Sequence, residues 1–272
     1  MIASRGFLFM CDHHIENPES ESKRLPTTFP SKDGETIYIH PTAIRKFVDN
    51  YLPNLKYKFI LLSGDSDTTV PTDIQTEADI VLNHPLLVKW YSQNSIPSEK
   101  LCQLPIGLYF HVIYSPEIGW HKIKNIEYYE NIIKSLRSNP KINKCYSNFH
   151  FLINTRYAQD RRDAMLIINP SLVFYEPKKI SSVETWKTMS MYKYIISPHG
   201  NGLDCHRTWE AIALGCIPIV KTSQLDPLFS GLPVLIVSDW SDVTQELLDK
   251  FIPNYSEIQK MKLSYWNKIF KE

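Results

Sequence analysis

The chain has 272 residues, of which 43% are hydrophobic and 12% aromatic, and its formal net charge is +1 at pH 7. This composition is that of a globular protein with one large domain or with two domains of about 100 to 150 residues each. A net charge close to zero gives no electrostatic reason to expect nucleic acid or an anionic membrane as a partner.

The cysteines and the N-terminal segment indicate the cellular compartment in which we expect the protein. The five cysteines are scattered and lack CxxC or paired-histidine spacing, so we expect reduced packing thiols and no structural metal. The apolar run at residues 6–11 is too short for a signal sequence or for a membrane span. We therefore expect a soluble, cytoplasmic protein. The cysteines are Cys11, Cys102, Cys145, Cys205 and Cys216.

The first half of the chain predicts an irregular α/β arrangement. Strands are expected at 6–11, 36–40, 57–63 and 101–106, and helices at 73–82, 86–91 and 127–137. The polar segment 138–148 contains a proline and is taken as the link between two domains, 1–142 and 143–272.

The second half alternates more regularly and predicts a doubly wound parallel sheet. Ligands bind beyond the carboxyl ends of the strands in such sheets, so Arg156, His199 and Lys221 are expected on one edge. The predicted strands are 149–154, 172–175, 194–197, 217–220 and 234–237, and the predicted helices are 161–168, 183–191, 205–214, 243–251 and 256–270.

The segment 192–220 is the most informative part of the sequence, because it joins a buried strand, a glycine-containing turn, a helix start and a second buried strand. Gly200 and Gly202 permit positive φ and close approach of a ligand. Asp204 is the expected N-cap of the helix, and Gly215 is the expected residue that ends it. This pattern predicts a phosphate-binding βα unit.

Arg207 and Glu210 lie three residues apart in the first turns of this helix. Arg207 is suited to phosphate oxygens, and a Glu210 carboxylate can accept both hydroxyls of a ribose. His199 and Asn201 add donors from the turn, and Arg156 is the preferred second phosphate contact. Solvated roles are expected for Arg161 and Arg162. The competing interpretation is a plain βα connection with an intrahelical Arg–Glu pair.

The motif S-P-x-G-x-G-x-D-x-H-R-x-W-E-A-(x)3-G-x-I-P-I-V, at 197–220, resembles the C-terminal signature of exostosin-like (GT47-type) glycosyltransferases, especially short ones from large algal DNA viruses. Segments 59–71, 83–94 and 104–108 are similar to N-terminal blocks of that family. The resemblance implies a GT-B fold, in which two Rossmann-like domains face a cleft. It also implies a nucleotide-sugar on the C-terminal domain, no required metal, and a terminal helix that packs back on the first domain.

The function that the resemblance implies is inverting transfer of a sugar from a UDP-sugar to a hydroxyl of a glycan acceptor, with UDP-xylose as the first donor to test. Inversion needs a base for the acceptor hydroxyl and positive charge or dipoles for the leaving diphosphate. We expect the base in the N-terminal half, in the order Asp67, Asp12, His13. A Gly-Asp-Ser-Asp sequence is also typical of a turn with purely local hydrogen bonds.

Three other functions compete with this one. Asp65-Ser66-Asp67 forms a D-x-D, which in GT-A glycosyltransferases holds a divalent metal. A non-catalytic module that binds nucleotides or carbohydrates is also compatible with the sequence. A dinucleotide oxidoreductase is disfavoured, because a third glycine is missing and Lys221 stands where an acidic residue is needed.

Overall fold

The computed structural model describes residues 1–16, 23–110 and 126–271. Within them the chain is mixed α/β, with two parallel sheets of four and five strands that are flanked by helices. The chain divides into two compact units, one formed by Met1–Ile123 together with Lys260–Glu272 and the other by Lys124–Gln259. This organisation is compatible with a two-domain, Rossmann-like fold.

The first unit is built on a parallel sheet in the strand order β1-β2-β3-β4. All five residues of β2 are buried, as expected for a parallel strand that is covered on both faces. Its elements are α1 (Ser4–Met10), β1 (Glu35–Tyr38), α2 (Ile44–Asn50), β2 (Phe59–Ser63), α3 (Gln75–Leu82), β3 (Leu87–Ser92) and β4 (Leu101–Gln103).

Two predictions for the first unit are wrong. The apolar run at 6–11 lies almost entirely in α1 and not in a strand, because a short apolar run does not distinguish a buried helix from a buried strand. The segment 86–91 forms β3 instead of a helix. Leu87, Trp90 and Ser92 of β3 are buried between more exposed neighbours, which suits a pleated strand.

The second unit is built on a parallel sheet in the order β6-β5-β7-β8-β9. Its elements are α4 (Ile126–Leu136), β5 (Ile142–Ser147), α5 (Ala158–Ile167), β6 (Val173–Tyr175), α6 (Ser182–Met189), β7 (Tyr192–Ile196), α7 (His206–Ala213), β8 (Ile217–Lys221), α8 (Asp226–Phe229), β9 (Leu235–Val237) and α9 (Gln245–Lys250). Apart from β5, the predicted strands and helices of this half are confirmed with slightly different ends, except that the predicted helix 256–270 is divided into a 3-10 helix at Ile258–Met261 and an α-helix at Leu263–Ile269.

The predicted strand at 149–154 is wrong, because Phe149–Phe151 forms a 3-10 helix and the strand lies earlier, at β5. The predicted interdomain link at 138–148 is therefore mostly strand, and a division after residue 142 would cut β5. The exposed, polar start of β5 explains the error, since only its last three residues are buried.

The last helix, α10 (Leu263–Ile269), belongs to the first unit. It packs on α1, where the Phe7 ring lies 6.0 Å from the ring of Trp266 and 6.4 Å from that of Phe270. Gly6 allows this approach, because a Cβ there would lie 2.8 Å from a methyl carbon of Leu263. Within the described ranges, no helix combines the length and the apolar composition needed to cross a bilayer.

Candidate functional site

Polar side chains lie at the carboxyl ends of the strands of the second sheet, an end of the sheet that is called its carboxyl edge below. Because all five strands run parallel, the residues at or after their carboxyl ends lie along one edge of the sheet. In the order of the strands from β6 to β9, these residues are Glu176, Asn148, Ser197, Lys221 and Asp239. Open parallel sheets bind ligands at this edge.

Arg207 projects from the first turn of α7 toward two of these residues. Its Nε donates to Asn148 Oδ1 at 3.1 Å, and Nη1 lies 3.5 Å from Ser197 Oγ. The guanidinium carbon lies 5.7 Å from the centre of the Phe149 ring. Burial lowers the pKa of Arg207, although the side chain remains partly accessible. No carboxylate in the described residues forms an ion pair with it, so this cation is held by neutral oxygens and an aromatic ring.

The start of α7 has no side-chain cap. The N-cap residue is Cys205, whose side chain accepts no hydrogen bond from the helix. The prediction that Asp204 caps α7 is wrong, because both carboxylate oxygens of the buried Asp204 lie 2.8 Å from the indole Nε1 of Trp209. The helix ends as predicted, with Gly215 at a φ of +72° just beyond Leu214. The Asp204 carboxylate also accepts from the backbone N–H of Cys205 at 2.9 Å, while no N-cap side chain accepts from the N–H groups of the first turn of α7, which carry the positive end of the helix dipole.

The turn before α7 is held by Arg161, for which a solvated role was expected. Arg161 is only 5% exposed; its Nε donates to the carbonyl of His199 at 2.9 Å and Nη1 donates to the carbonyl of Leu152. Gly200 has no positive φ. It is needed because a Cβ at this position would lie 2.8 Å from Nη2 of Arg161. Arg162 is exposed and donates to Gln159.

His199 forms a dyad with Asp160 of α5. Asp160 Oδ2 lies 2.8 Å from Nδ1 of the imidazole and accepts from the backbone N–H of His199 at 2.9 Å. The other carboxylate oxygen accepts from Trp240 Nε1 at 2.8 Å. Burial opposes ionisation of Asp160, but the hydrogen bonds from His199 and Trp240 outweigh it and lower the pKa of this carboxyl. The Tyr157 ring lies 5.8 Å from the imidazole.

The other predicted donor-site residues lie near this turn or on the same edge. The backbone N–H of Arg156 donates to Asn201 Oδ1 at 3.3 Å, which joins Arg156 to the turn 198–202. Lys221 contacts Asp239 at 3.4 Å. Glu210 lies one turn beyond Arg207 on α7 and is partly buried, and Gly202 is buried in the turn.

Sequence reasoning missed Asn148, Glu176 and Asp160. Glu176 is 7% exposed and accepts from the hydroxyl of Tyr146 at 3.1 Å, and the pKa of this tyrosine is raised by burial and by the adjacent carboxylate. Asn148 and Glu176 each follow the end of a strand, so correct strand ends would have placed both on the edge. Nothing in the sequence pairs Asp160 with His199, which lies 39 residues away.

Two of the predicted bases are engaged in local contacts of the first unit. Asp12 Oδ2 accepts from the backbone N–H and the hydroxyl of Thr36, at 2.9 and 2.8 Å. The His13 ring lies between Thr28 Oγ1, 2.9 Å from Nδ1, and Glu35 Oε2, 3.2 Å from Nε2. The backbone N–H of His13 donates to the carbonyl of Thr36, and the N–H of Tyr38 donates to the carbonyl of His13, which continues the sheet beyond β1. These contacts show that both residues help to fix this segment.

Asp67 is exposed at the end of a turn that several buried side chains hold. Arg5 Nε donates to Asp65 Oδ2 at 3.1 Å, His40 Nε2 lies 2.8 Å from the carbonyl oxygen of Asp65, and Gln93 Oε1 accepts from the backbone N–H of Asp65 at 2.9 Å. Asp65 has a φ of +59°, which is uncommon for a residue other than glycine. The turn 64–67 is therefore fixed by three separate segments of the first unit.

Within the described residues, no cluster of three or more His, Cys, Asp or Glu side chains is placed to hold a metal ion. Comparison of the chain with known family models and with curated proteins finds no match.

Proposed function

We propose that this protein is a GT-B-type, inverting glycosyltransferase whose second unit binds the diphosphate of a UDP-sugar at the start of α7. One observation carries the proposal: Arg207 is held at the carboxyl edge of a parallel sheet by Asn148 and Ser197, next to a helix start without a side-chain cap. Anions favour such helix starts, and a guanidinium matches phosphate oxygens. The resemblance of the motif at 197–220 is the reason for proposing a nucleotide-sugar as the ligand.

In the proposed reaction, the acceptor hydroxyl attacks the anomeric carbon, its proton passes to a base, and the bond to the diphosphate breaks. Arg207 and the first-turn amides of α7 stabilise the charge that develops on the leaving UDP. Glu210 holds the ribose hydroxyls, and Arg156 adds a second cation. Asp67 is the first choice as base, because it is exposed whereas His13 is buried. The acceptor is a glycan hydroxyl.

The decisive experiment measures UDP binding by calorimetry and UDP release from a panel of UDP-sugars. We expect Arg207→Ala to weaken UDP binding by about 10- to 100-fold, which is the value of one or two charge-assisted hydrogen bonds. Arg162→Ala is the matched control, because this exposed arginine of the same unit donates to Gln159 and has no other hydrogen bond within the described ranges. Equal affinities of the two variants, or no UDP binding by the unmodified protein, would refute the proposal.

The metal-dependent alternative depends on Asp65 and Asp67. Asp65 is buried and its carboxylate already contacts Arg5, so one half of the D-x-D is neutralised by a cation of the protein. This pairing favours the metal-independent proposal. Activity that disappears with EDTA and returns with Mn²⁺ would favour the alternative, and UDP binding without any turnover would favour a non-catalytic module.

A further inference from the structure

We infer that the His199–Asp160 dyad is an anion-binding element that, when protonated, holds the terminal phosphate of a nucleoside diphosphate through Nε2 of His199. This inference rests on the proposed function and adds to it a positioning residue, Asp160, and a dependence on pH. It also gives His199 a defined chemical form in the bound state, the imidazolium.

The geometry engages one nitrogen of the imidazole and leaves the other available. Nδ1 is engaged by Asp160 at 2.8 Å, and the backbone N–H of the same residue is bound to the same oxygen. Nε2 has no hydrogen-bond partner in the described part of the chain, and the His199 side chain is 12% exposed. An imidazole oriented by a carboxylate on one nitrogen presents the other nitrogen in a fixed direction.

The carboxylate of Asp160 is itself held in place. This dyad therefore differs from an exposed ion pair, in which both side chains can move. Trp240 Nε1 donates to its second oxygen at 2.8 Å, so both oxygens are bound. Trp240 is fully buried in the core of the second unit. The position of the imidazole is therefore set by the α5 carboxylate and by a core indole, and not by the flexibility of the turn.

The charged groups that contact His199 are of both signs. The groups that contact it are Asp160, Arg161, whose Nε donates to its carbonyl, and the ring of Tyr157. The Cys205 thiol lies beside the turn, 3.5 Å from the carbonyl of Pro198. Phosphate oxygens at Nε2 would accept a hydrogen bond from the protonated ring. Binding of a diphosphate and protonation of His199 should therefore be coupled.

The experiment measures UDP affinity by calorimetry as the pH falls from about 8.5 to about 5.5, across the range in which histidine titrates. Relative to His199→Gln, whose affinity reports the titration of the nucleotide itself, the unmodified protein should gain about tenfold in affinity for UDP over this range. Asp160→Asn should reduce this tenfold difference, because the ring loses the carboxylate that orients it. Uridine, which has no phosphate, should show no gain.

A second measurement needs no variant. Ring nitrogen resonances of His199 in the unmodified protein, recorded at one fixed pH, should move toward those of an imidazolium when saturating UDP is added. UDP binding with the same pH dependence in the unmodified protein and in His199→Gln, or ring resonances of His199 that UDP leaves unchanged, would overturn this inference alone. Absence of UDP binding at every pH would refute the proposed function as well.

Discussion

Arg161 is a charged residue that holds the backbone of the candidate site through hydrogen bonds and does not point into solvent. Its guanidinium donates to two backbone carbonyls, of His199 and Leu152, and its bulk occupies the space above Gly200. A charged donor suits this position, because buried carbonyl groups without partners are costly.

Replacement of Arg161 by Leu should lower the free energy of unfolding by about 2 to 4 kcal/mol, since two partly buried carbonyl oxygens lose a charged donor. Urea unfolding monitored by tryptophan fluorescence measures this change. The same replacement at Arg162, which is exposed, should change the free energy by less than about 0.5 kcal/mol. Equal effects at the two positions would show that Arg161 does not hold the turn.

The lowered pKa of Glu35 predicts that the stability of the first unit falls in acid. Hydrogen bonds from the Ser31 backbone and from His13 lower the pKa of Glu35 from 4.5 to about 2. A carboxyl with a lowered pKa stabilises the fold above its unfolded value, so this contribution should be present above pH 4.5 and should disappear as the pH falls toward 2. Urea midpoints of Glu35→Gln should accordingly fall less steeply over this range than those of the unmodified protein, and parallel curves would contradict the expectation.

At the scale of elements, the start of α7 lacks the hydrogen bond that the side chain of an N-cap serine or threonine supplies. Cys205→Ser supplies an N-cap oxygen, and it should raise the free energy of unfolding by about 0.5 to 1 kcal/mol while weakening UDP binding, because the cap competes for the same amides. Thermal unfolding and calorimetry on one sample give both values. Cys102→Ser controls for loss of a thiol, and tighter UDP binding by Cys205→Ser would refute the competition.

Strands and helices were predictable where burial and sequence period agree. α6 is an example: Ser181 and Glu184 form a capping box, and the predicted helix is confirmed. β3 was not predictable in this way, because the run Leu-Leu-Val-Lys-Trp-Tyr has no glycine or β-branched pattern that distinguishes a strand from a helix. Its conformation is decided by the pairing of Trp90 with neighbouring strands, which is a tertiary effect.

The candidate site shows the same limit. The turn 198–202 and the helix with Arg207 could be placed from local sequence, because glycine and helix signals act over a few residues. The residues that hold the turn and the helix in place could not be identified from local sequence. Arg207 is held by Asn148, 59 residues away, and His199 by Asp160, so both contacts exist only after the sheet has formed.

At the scale of the whole molecule, the first unit depends on the end of the chain. Removal of residues 260–272 should destabilise this unit by at least about 3 kcal/mol, because Phe7 and its neighbours lose the aromatic rings of α10. Hydrogen exchange should show loss of protection in α1 and β1, while UDP binding by the second unit changes by less than about twofold.

A chain that ends at Phe270 is the matched control, because it keeps both aromatic residues of α10 that contact Phe7. Equal protection of α1 in the two shortened chains would show that α10 does not stabilise the first unit. Loss of protection throughout β5 to β9 would show that the two units do not unfold separately.

The return of α10 to α1 has a consequence for biosynthesis. The contacts of Ile2 with Met261 and of Phe7 with Trp266 join segments that are distant in sequence, so the nascent polypeptide cannot form them until α10 has left the ribosome. The segment 124–259 leaves the exit tunnel before α10 as one continuous stretch and can fold beforehand. We therefore expect the second unit to complete its fold before the first, and α1 to lack its contacts with α10 until that helix emerges.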